Sequence, residues 1–404
     1  MSFLRAARAA LAGQSGVRRI LAAVTVVTIL VAILVLAGLS LSCGSSSSSS
    51  LVSTHLAYVS LPSLGSVLQL QIDGATGAIA TGGLTPVQGT APTGLALSPT
   101  RKFLYAMNSR ANTISIFSVA NDGTLTLTGT PTQGGNGPYA GVIDPTGQYL
   151  LVTDSFGNNP TGGDVSVYAI DAASGALTEV AGSPFAADAN PTQILFTHSG
   201  QFVYVTNPGL GAVTGFSFST ATGALTPVPG TPAFSGSGAA ALAVDAEDQF
   251  LYVANPSASN LPPYQATLGN ISAFSIDSST GALTPILGSP FTSISGSGPA
   301  AIAVDPSGRF VFAATPGSSN SVWCFSITPT NGALVEVANS PFSLAAGVQF
   351  ALFDPSGNFF YIGSGSGKGD IEAYTYNLST GAPKVIKGSP FPTGTVPATM
   401  VLSE

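Results

Sequence analysis

The run Thr197-His198-Ser199-Gly200-Gln201-Phe202-Val203-Tyr204-Val205-Thr206-Asn207, with Ala221-Thr222-Gly223-Ala224-Leu225 behind it, is one copy of a text that the chain repeats. A Gly preceded by small polar residues recurs at Gly77, Gly123, Gly175, Gly223, Gly281, Gly332 and Gly381, at intervals of 46 to 58 residues. Six or seven residues before each stands a large apolar side chain: Leu70, Phe117, Tyr168, Phe216, Phe274, Phe325 or Tyr374. The segments that carry them alternate as Ile271-Ser272-Ala273-Phe274-Ser275-Ile276 does, which is the period of a β-strand.

A second hairpin recurs out of phase with the first, as Asp144-Pro145-Thr146-Gly147, Asp305-Pro306-Ser307-Gly308 and Asp354-Pro355-Ser356-Gly357, with a variant at Asp245. Asp caps the turn, Pro fixes φ and Gly takes positive φ, so these residues, like Asp73, Asp171 and Asp277 in the other hairpin, are turn chemistry. The strand that follows, Phe250-Leu251-Tyr252-Val253-Ala254-Asn255 for example, is apolar on both faces and belongs between two other layers. One unit therefore holds four strands: A over 301–305, B over 310–315, C over 322–327 and D near 334–338. A Ser-Pro-Phe element closes it, recurring at Ser183, Ser289, Ser340 and Ser389.

Seven such units with almost no helix signal predict an all-β, seven-bladed β-propeller with four antiparallel strands per blade. The first unit starts at strand B, near His55. Residues 398–403 match the A strand at 93–98, so a C-terminal strand is expected to complete the first blade and close the ring, leaving no open edge. A single Trp (Trp323) removes the WD and kelch versions of this architecture.

Ahead of the propeller, which occupies 55–404, residues 1–42 read as a signal peptide or signal anchor. Ile20 to Leu41 carry no charge and are long enough, at about 33 Å as a helix, to cross a bilayer. Residues 43–54 then give Cys43, a candidate for lipidation, and a serine-rich tether. The Arg residues before the apolar run hold the N-terminus inside, so the body is expected outside the cytoplasm, anchored to the membrane by lipid or by the leader.

Composition limits the chemistry. Four of the 11 Lys+Arg lie in the first 19 residues, leaving seven against 18 Asp+Glu, an acidic surface that repels nucleic-acid backbones. Two His and two Cys leave little for metal cages or thiol nucleophiles, and neither metal nor cofactor is expected. Cys324 reads as a small buried side chain and His198 as a surface residue.

At this point the chain resembles the YVTN-repeat, lactonase-type seven-bladed propellers, a superfamily that includes bacterial 6-phosphogluconolactonase. Tyr204-Val205-Thr206-Asn207 is the eponymous tetrapeptide and Tyr252-Val253-Ala254-Asn255 a near copy, and the resemblance covers roughly 51–404. It implies the propeller and, as an activity, lactone hydrolysis. It maps no catalytic residue onto this sequence.

Candidate site residues follow from loop variability. The A–B and C–D turns are short and repeated, so the rim of B–C and D–A loops is the expected working face. Its non-recurring charges are Asp154, Asp164, Lys368, Asp370 and Glu372, with Arg110 in the second blade. A lactonase needs a carboxylate to activate water and a donor or cation for the oxyanion, which nominates Asp154, Glu372, Arg110 and Lys368 as catalytic. Asp154 stands where other blades have Asn108, Asn207 and Asn255, and could point into the central channel. Asp154, Asn158, Asp164, Tyr264 and Asp370 are the candidate ligand-binding residues.

Three functions are therefore expected: a binding or scaffold module at the envelope with a glycan, peptide or protein ligand, a lactone hydrolase of the 6-phosphogluconolactonase type, or a purely structural envelope component.

Overall fold

A strand that is apolar on both faces needs cover on both, and the six residues of strand B are all buried in five of the blades, Phe202–Asn207 and Phe250–Asn255 among them. The computed structural model describes residues 54–159, 162–257, 269–291, 298–316, 320–344, 347–365 and 367–403. Among the described residues there are seven antiparallel sheets and a single 3-10 turn, Pro62–Leu64. Among the described residues no helix is long and apolar enough to cross a membrane. The leader, Cys43 and Tyr264 lie outside the described residues, as does the side chain of Asn158.

Blade 6 is typical: inner strand A is Ala301–Val304, B is Phe310–Thr315, C is Ser321–Ile327 and outer strand D is Leu334–Glu336. Burial falls outward, and strand D keeps one buried residue of three. Five blades carry a fifth short strand where four are expected. In blades 3, 6 and 7 it follows the Ser-Pro-Phe element; blades 2 and 4 have Thr130-Pro131 and Thr231-Pro232 in its place, and in blade 5 the element makes, among the described residues, a single bridge, Ile271 to Phe291. Blade 6 shows how it forms. Strand D stops after three residues, the Ser hydroxyl accepts a hydrogen bond from strand C (Cys324 N to Ser340 Oγ, 3.1 Å), and Phe342–Ser343 then pairs back on strand C. The same bond joins Ala273 to Ser289 and Ala373 to Ser389, both at 2.9 Å, so the donors that strand D leaves uncovered are satisfied.

Ring closure follows the expected register. Met400–Leu402 is strand A of blade 1 and pairs with Thr54–Leu61, with Tyr58 opposite Val401. The Leu56 N–H donates to Ser403 Oγ at 3.0 Å.

The recurring Tyr and Gly meet between blades. Tyr204 Oη donates to the Gly281 carbonyl at 2.7 Å, Tyr252 to Gly332 at 2.9 Å, Tyr58 to Gly123 at 2.8 Å and Tyr105 to Gly175 at 3.0 Å, each reaching into the next blade. Tyr361 of blade 7 donates to Gly77 of blade 1 at 3.3 Å, so the same latch spans the seam. Burial pushes these hydroxyls well above the usual tyrosine range and keeps them protonated donors. Gly281 is demanded twice: its φ is +73°, and a Cβ there would stand 2.4 Å from the Phe202 ring. Blades 3 and 6 place Leu151 and Phe312 at the Tyr position and make the packing contact alone.

The turn aspartates cap backbone as expected: Asp305 Oδ1 accepts from Phe310 N at 2.6 Å, and Asp245 Oδ1 from Gln249 N at 2.7 Å. Cys324 is buried, and His198 lies on the outer surface of the A–B rim beside Asp248, 3.0 Å away.

Removing one latch tests its weight. Tyr204→Phe leaves the buried Gly281 carbonyl without its donor and is expected to lower unfolding free energy by about 1–3 kcal/mol in denaturant titration. Gly281→Ala should cost at least as much, while His198→Ala stays within about 0.5 kcal/mol.

Candidate functional site

The inner A strands surround a channel of about 470 Å³ that opens on the rim of D–A and B–C loops. Its wall is built from the first residues of successive A strands, among them Thr93, Tyr139, Thr192, Gln193, Gln349 and Thr399. Among the described lining residues there is no Asp, Glu, Lys, Arg or His. Polarity comes from hydroxyls, carboxamides and backbone. The Gln193 carboxamide accepts from Leu242 N at 3.1 Å through its oxygen, which turns its amino group away from that bond.

Asp154 does not point into this channel. It ends the regular part of strand B of blade 3, fully buried, opposite Asp164 on strand C. Ser166 Oγ donates to Asp154 Oδ2 at 2.6 Å, while Oδ1 has no hydrogen-bond partner. Other blades explain the setting. There the equivalent Asn donates to the equivalent hydroxyl of strand C, Asn108 to Ser115 at 2.9 Å and Asn207 to Thr214 at 2.8 Å. Blade 3 holds a carboxylate in a site built for a carboxamide. Burial pushes its pKa up to about 7; Ser166 opposes the shift, and the charges of Asp164 and Glu179 add to it.

Only a thin cover separates Asp154 from the rim. Gly135 lies directly over it, so that a Cβ there would meet Oδ2 at 2.2 Å. Gly135 belongs to the run Gly134-Gly135-Asn136-Gly137, which leads into strand A at Pro138 and to Tyr139 on the channel wall. On either side of Asp154 the chain contacts channel-lining segments. Thr153 Oγ1 accepts from Ala140 N at 3.0 Å and reaches Thr192 O at 3.4 Å, and Ser155 Oγ donates to Pro191 O at 3.0 Å. Asp154 thus stands behind the sector of the mouth that blades 3 and 4 form.

The other nominated charges lie elsewhere. Glu372 is buried on strand C of blade 7 (Asp370–Tyr376), where it accepts a hydrogen bond from the Tyr374 hydroxyl. Burial, reinforced by Glu372, holds the Tyr374 hydroxyl far above the usual range. Asp370 is half-buried on the same strand with one unpartnered oxygen, and Asp164 is buried within blade 3. Arg110 and Lys368 are exposed on B–C turns of blades 2 and 7 and do not line the channel. Blades 3 and 7 are as far apart as a seven-membered ring allows, so Asp154 and Glu372 cannot act on one reacting atom. The channel residues Tyr139, Gln193 and Gln349 escaped the reading of charges because they carry none. Aligning the starts of the seven A strands would have exposed them as the positions where the repeat diverges.

The Asp154 environment gives a pH signature. Between about 4, where the unfolded side chain titrates, and about 7, the folded chain holds a proton that the unfolded chain has lost, so stability falls as pH rises. Asp154→Asn supplies the carboxamide that the other blades use. It should therefore be the more stable protein at pH 8, by a few kcal/mol, with the gap closing towards pH 4 in parallel denaturant titrations.

Comparison with known proteins agrees with this architecture. A 6-phosphogluconolactonase of Formosa agariphila is 46% identical over 66 residues, 16% of this chain, and the match spans only about a fifth (19%) of that protein's length. A candidate 6-phosphogluconolactonase from Bacteroides fragilis superimposes with a TM-score of 0.71 at 18% identity, covering 88% of this chain and 99% of that one. The periplasmic gluconolactonase PpgL of Pseudomonas aeruginosa gives 0.69 at 19% identity, covering 87% and 99%. At such identities these two likenesses concern the fold. The family model for "Lactonase, 7-bladed beta-propeller" matches residues 51–138, 137–341 and 268–396, and on that overlapping match the chain belongs to the lactonase family of seven-bladed β-propellers.

Proposed function

We propose that the protein is a lactone hydrolase working at the blade 3 and blade 4 sector of the channel mouth, with Asp154 as the base that activates water. Asp154 carries this reading: it is a carboxylate with a pKa raised to about 7, on the loop-bearing rim of a lactonase-family propeller. A general base works best when its pKa lies near the operating pH, and an ordinary surface carboxylate is about three units too weak. In the reaction Asp154 takes a proton from water as the hydroxide adds to the lactone carbonyl, and when the acyl–oxygen bond breaks it returns that proton to the departing ring oxygen, which regenerates the carboxylate and leaves the open-chain hydroxy acid. The Gln193 amino group is the neutral donor placed to meet the oxyanion. Water reaches Asp154 when Gly135 shifts: the ends of the run are held, Gly134 N donating to Asn112 O and Gly137 N to Asn112 Oδ1, and Gly135 between them has no side chain to move.

We also propose that the propeller works outside the cytoplasm, delivered by the leader and held by Cys43 and its serine tether. The uncharged run 20–41 and the periplasmic setting of the fold neighbour from Pseudomonas support this placement. A pure binding or scaffold role at the envelope, for a glycan, peptide or protein, is the competing reading, favoured by a channel wall without charged side chains.

Hydrolysis of D-glucono-1,5-lactone, followed by proton release in a pH-stat, separates the two. The expected result is turnover that rises with pH through about 7 and drops by about 10²-fold or more in Asp154→Asn, with Glu372→Gln close to the parent. Because Asp154→Asn is also expected to be the more stable protein, loss of turnover without loss of fold identifies a functional carboxylate. Equal rates in parent and Asp154→Asn would exclude Asp154 as the base. No turnover with any lactone would leave the binding reading.

A further inference from the structure

Two of the exposed aromatic residues share one stretch of rim: Tyr139 lines the channel, and Phe156 packs on the glycine-rich run that leads to it. Tyr139 is 42% exposed on the channel wall, and Phe156 is 68% exposed on the hairpin that prolongs strands B and C of blade 3. The backbone fixes them on one stretch of rim. Phe156 N donates to Asn136 O at 3.1 Å, and a Cβ on Gly137 would stand 2.6 Å from the Phe156 ring, so the ring lies on the glycine two residues before Tyr139. Gly137, with φ +73°, is held open for that ring.

The channel wall next to this pair offers the Gln193 carboxamide and the Thr93 and Thr192 hydroxyls, and the described channel lining carries no charged side chain. Recognition of a phosphate draws on Arg or Lys. The basic residues Arg101, Lys102 and Arg309 lie on the opposite rim, and Arg110 and Lys368 are exposed on loops outside the channel wall. Aromatic faces beside neutral donors and acceptors suit a ligand with an apolar C–H face and hydroxyl edges.

We propose that Tyr139 and Phe156 form a stacking subsite for an uncharged pyranose-type ring, which makes the substrate a neutral sugar lactone and excludes its 6-phosphate. The Phe156 and Tyr139 rings take the apolar face of the sugar, and Gln193 of the neighbouring blade 4 meets its hydroxyls and carbonyl from the channel. This deepens the lactone hydrolase reading and rests on it for the lactone carbonyl, though the stacking itself does not require turnover.

The test is calorimetric binding of D-glucono-δ-lactam, an uncharged ring that is not hydrolysed in place of the lactone, to the full chain. Binding is expected, weakened about tenfold or more in Phe156→Ala and in Tyr139→Ala, with the 6-phosphorylated lactam at least about tenfold weaker than the neutral one. Both side chains are exposed, and unchanged melting temperatures will show that the variants fold. Absence of binding, equal affinity in both variants, or tighter binding of the phosphorylated lactam overturns the subsite. Lactam binding that depends on Phe156 in a protein without lactone turnover would sustain the subsite and sink the hydrolase. Turnover indifferent to both aromatics would do the reverse.

Discussion

A hydroxyl from one blade bonded to a turn carbonyl of the next is the constraint on which the ring depends. The Tyr that reads as part of a strand motif and the Gly that reads as part of a hairpin motif are two ends of one contact. That explains why they recur together although they are never neighbours in one blade. At Gly281 and Gly332 the residue must have positive φ, present its carbonyl to the tyrosine, and leave room for the aromatic that begins strand B of the preceding blade, Phe202 and Phe250 respectively. No side chain meets all three demands at once.

This is also why the fold was legible in the sequence and the site only partly so. Turn caps, the sandwiched B strands and the closing strand answer to backbone geometry that every blade repeats, so seven copies disclose it. The fifth strand was not legible: Ser-Pro-Phe read only as the close of a four-stranded unit, and blades 2 and 4 form the extra strand without it. The site depends on what differs between blades. Asp154 stood out because it breaks a series of Asn, yet its direction depends on the strand register and on Gly135 above it, neither of which the series encodes. Glu372, Arg110 and Lys368 stood out merely as charges, and the ring separates blade 7 from blade 3. The neutral side chains at the channel wall drew no notice because nothing in a Gln or a Tyr announces that it faces a cavity.

Blade 3 departs from its siblings in several linked ways. It lacks the latch tyrosine, carries a carboxylate in a carboxamide site, prolongs its B–C hairpin and is entered through a glycine-rich run. Each departure lowers local stability or adds local freedom. Blade 6 shares the first departure, with Phe312 at the latch position, but among the described residues the combination is found in blade 3.

The join between Tyr58 and Val401 has a temporal meaning as well. Residues more than 340 positions apart must find each other before the first sheet is complete, so blades can mature one after another while the circle itself waits until residues 400–402 have been made. Until then the opening segment has bare hydrogen-bonding groups along one margin, a period in which a chaperone or a second nascent copy could occupy the berth reserved for the tail.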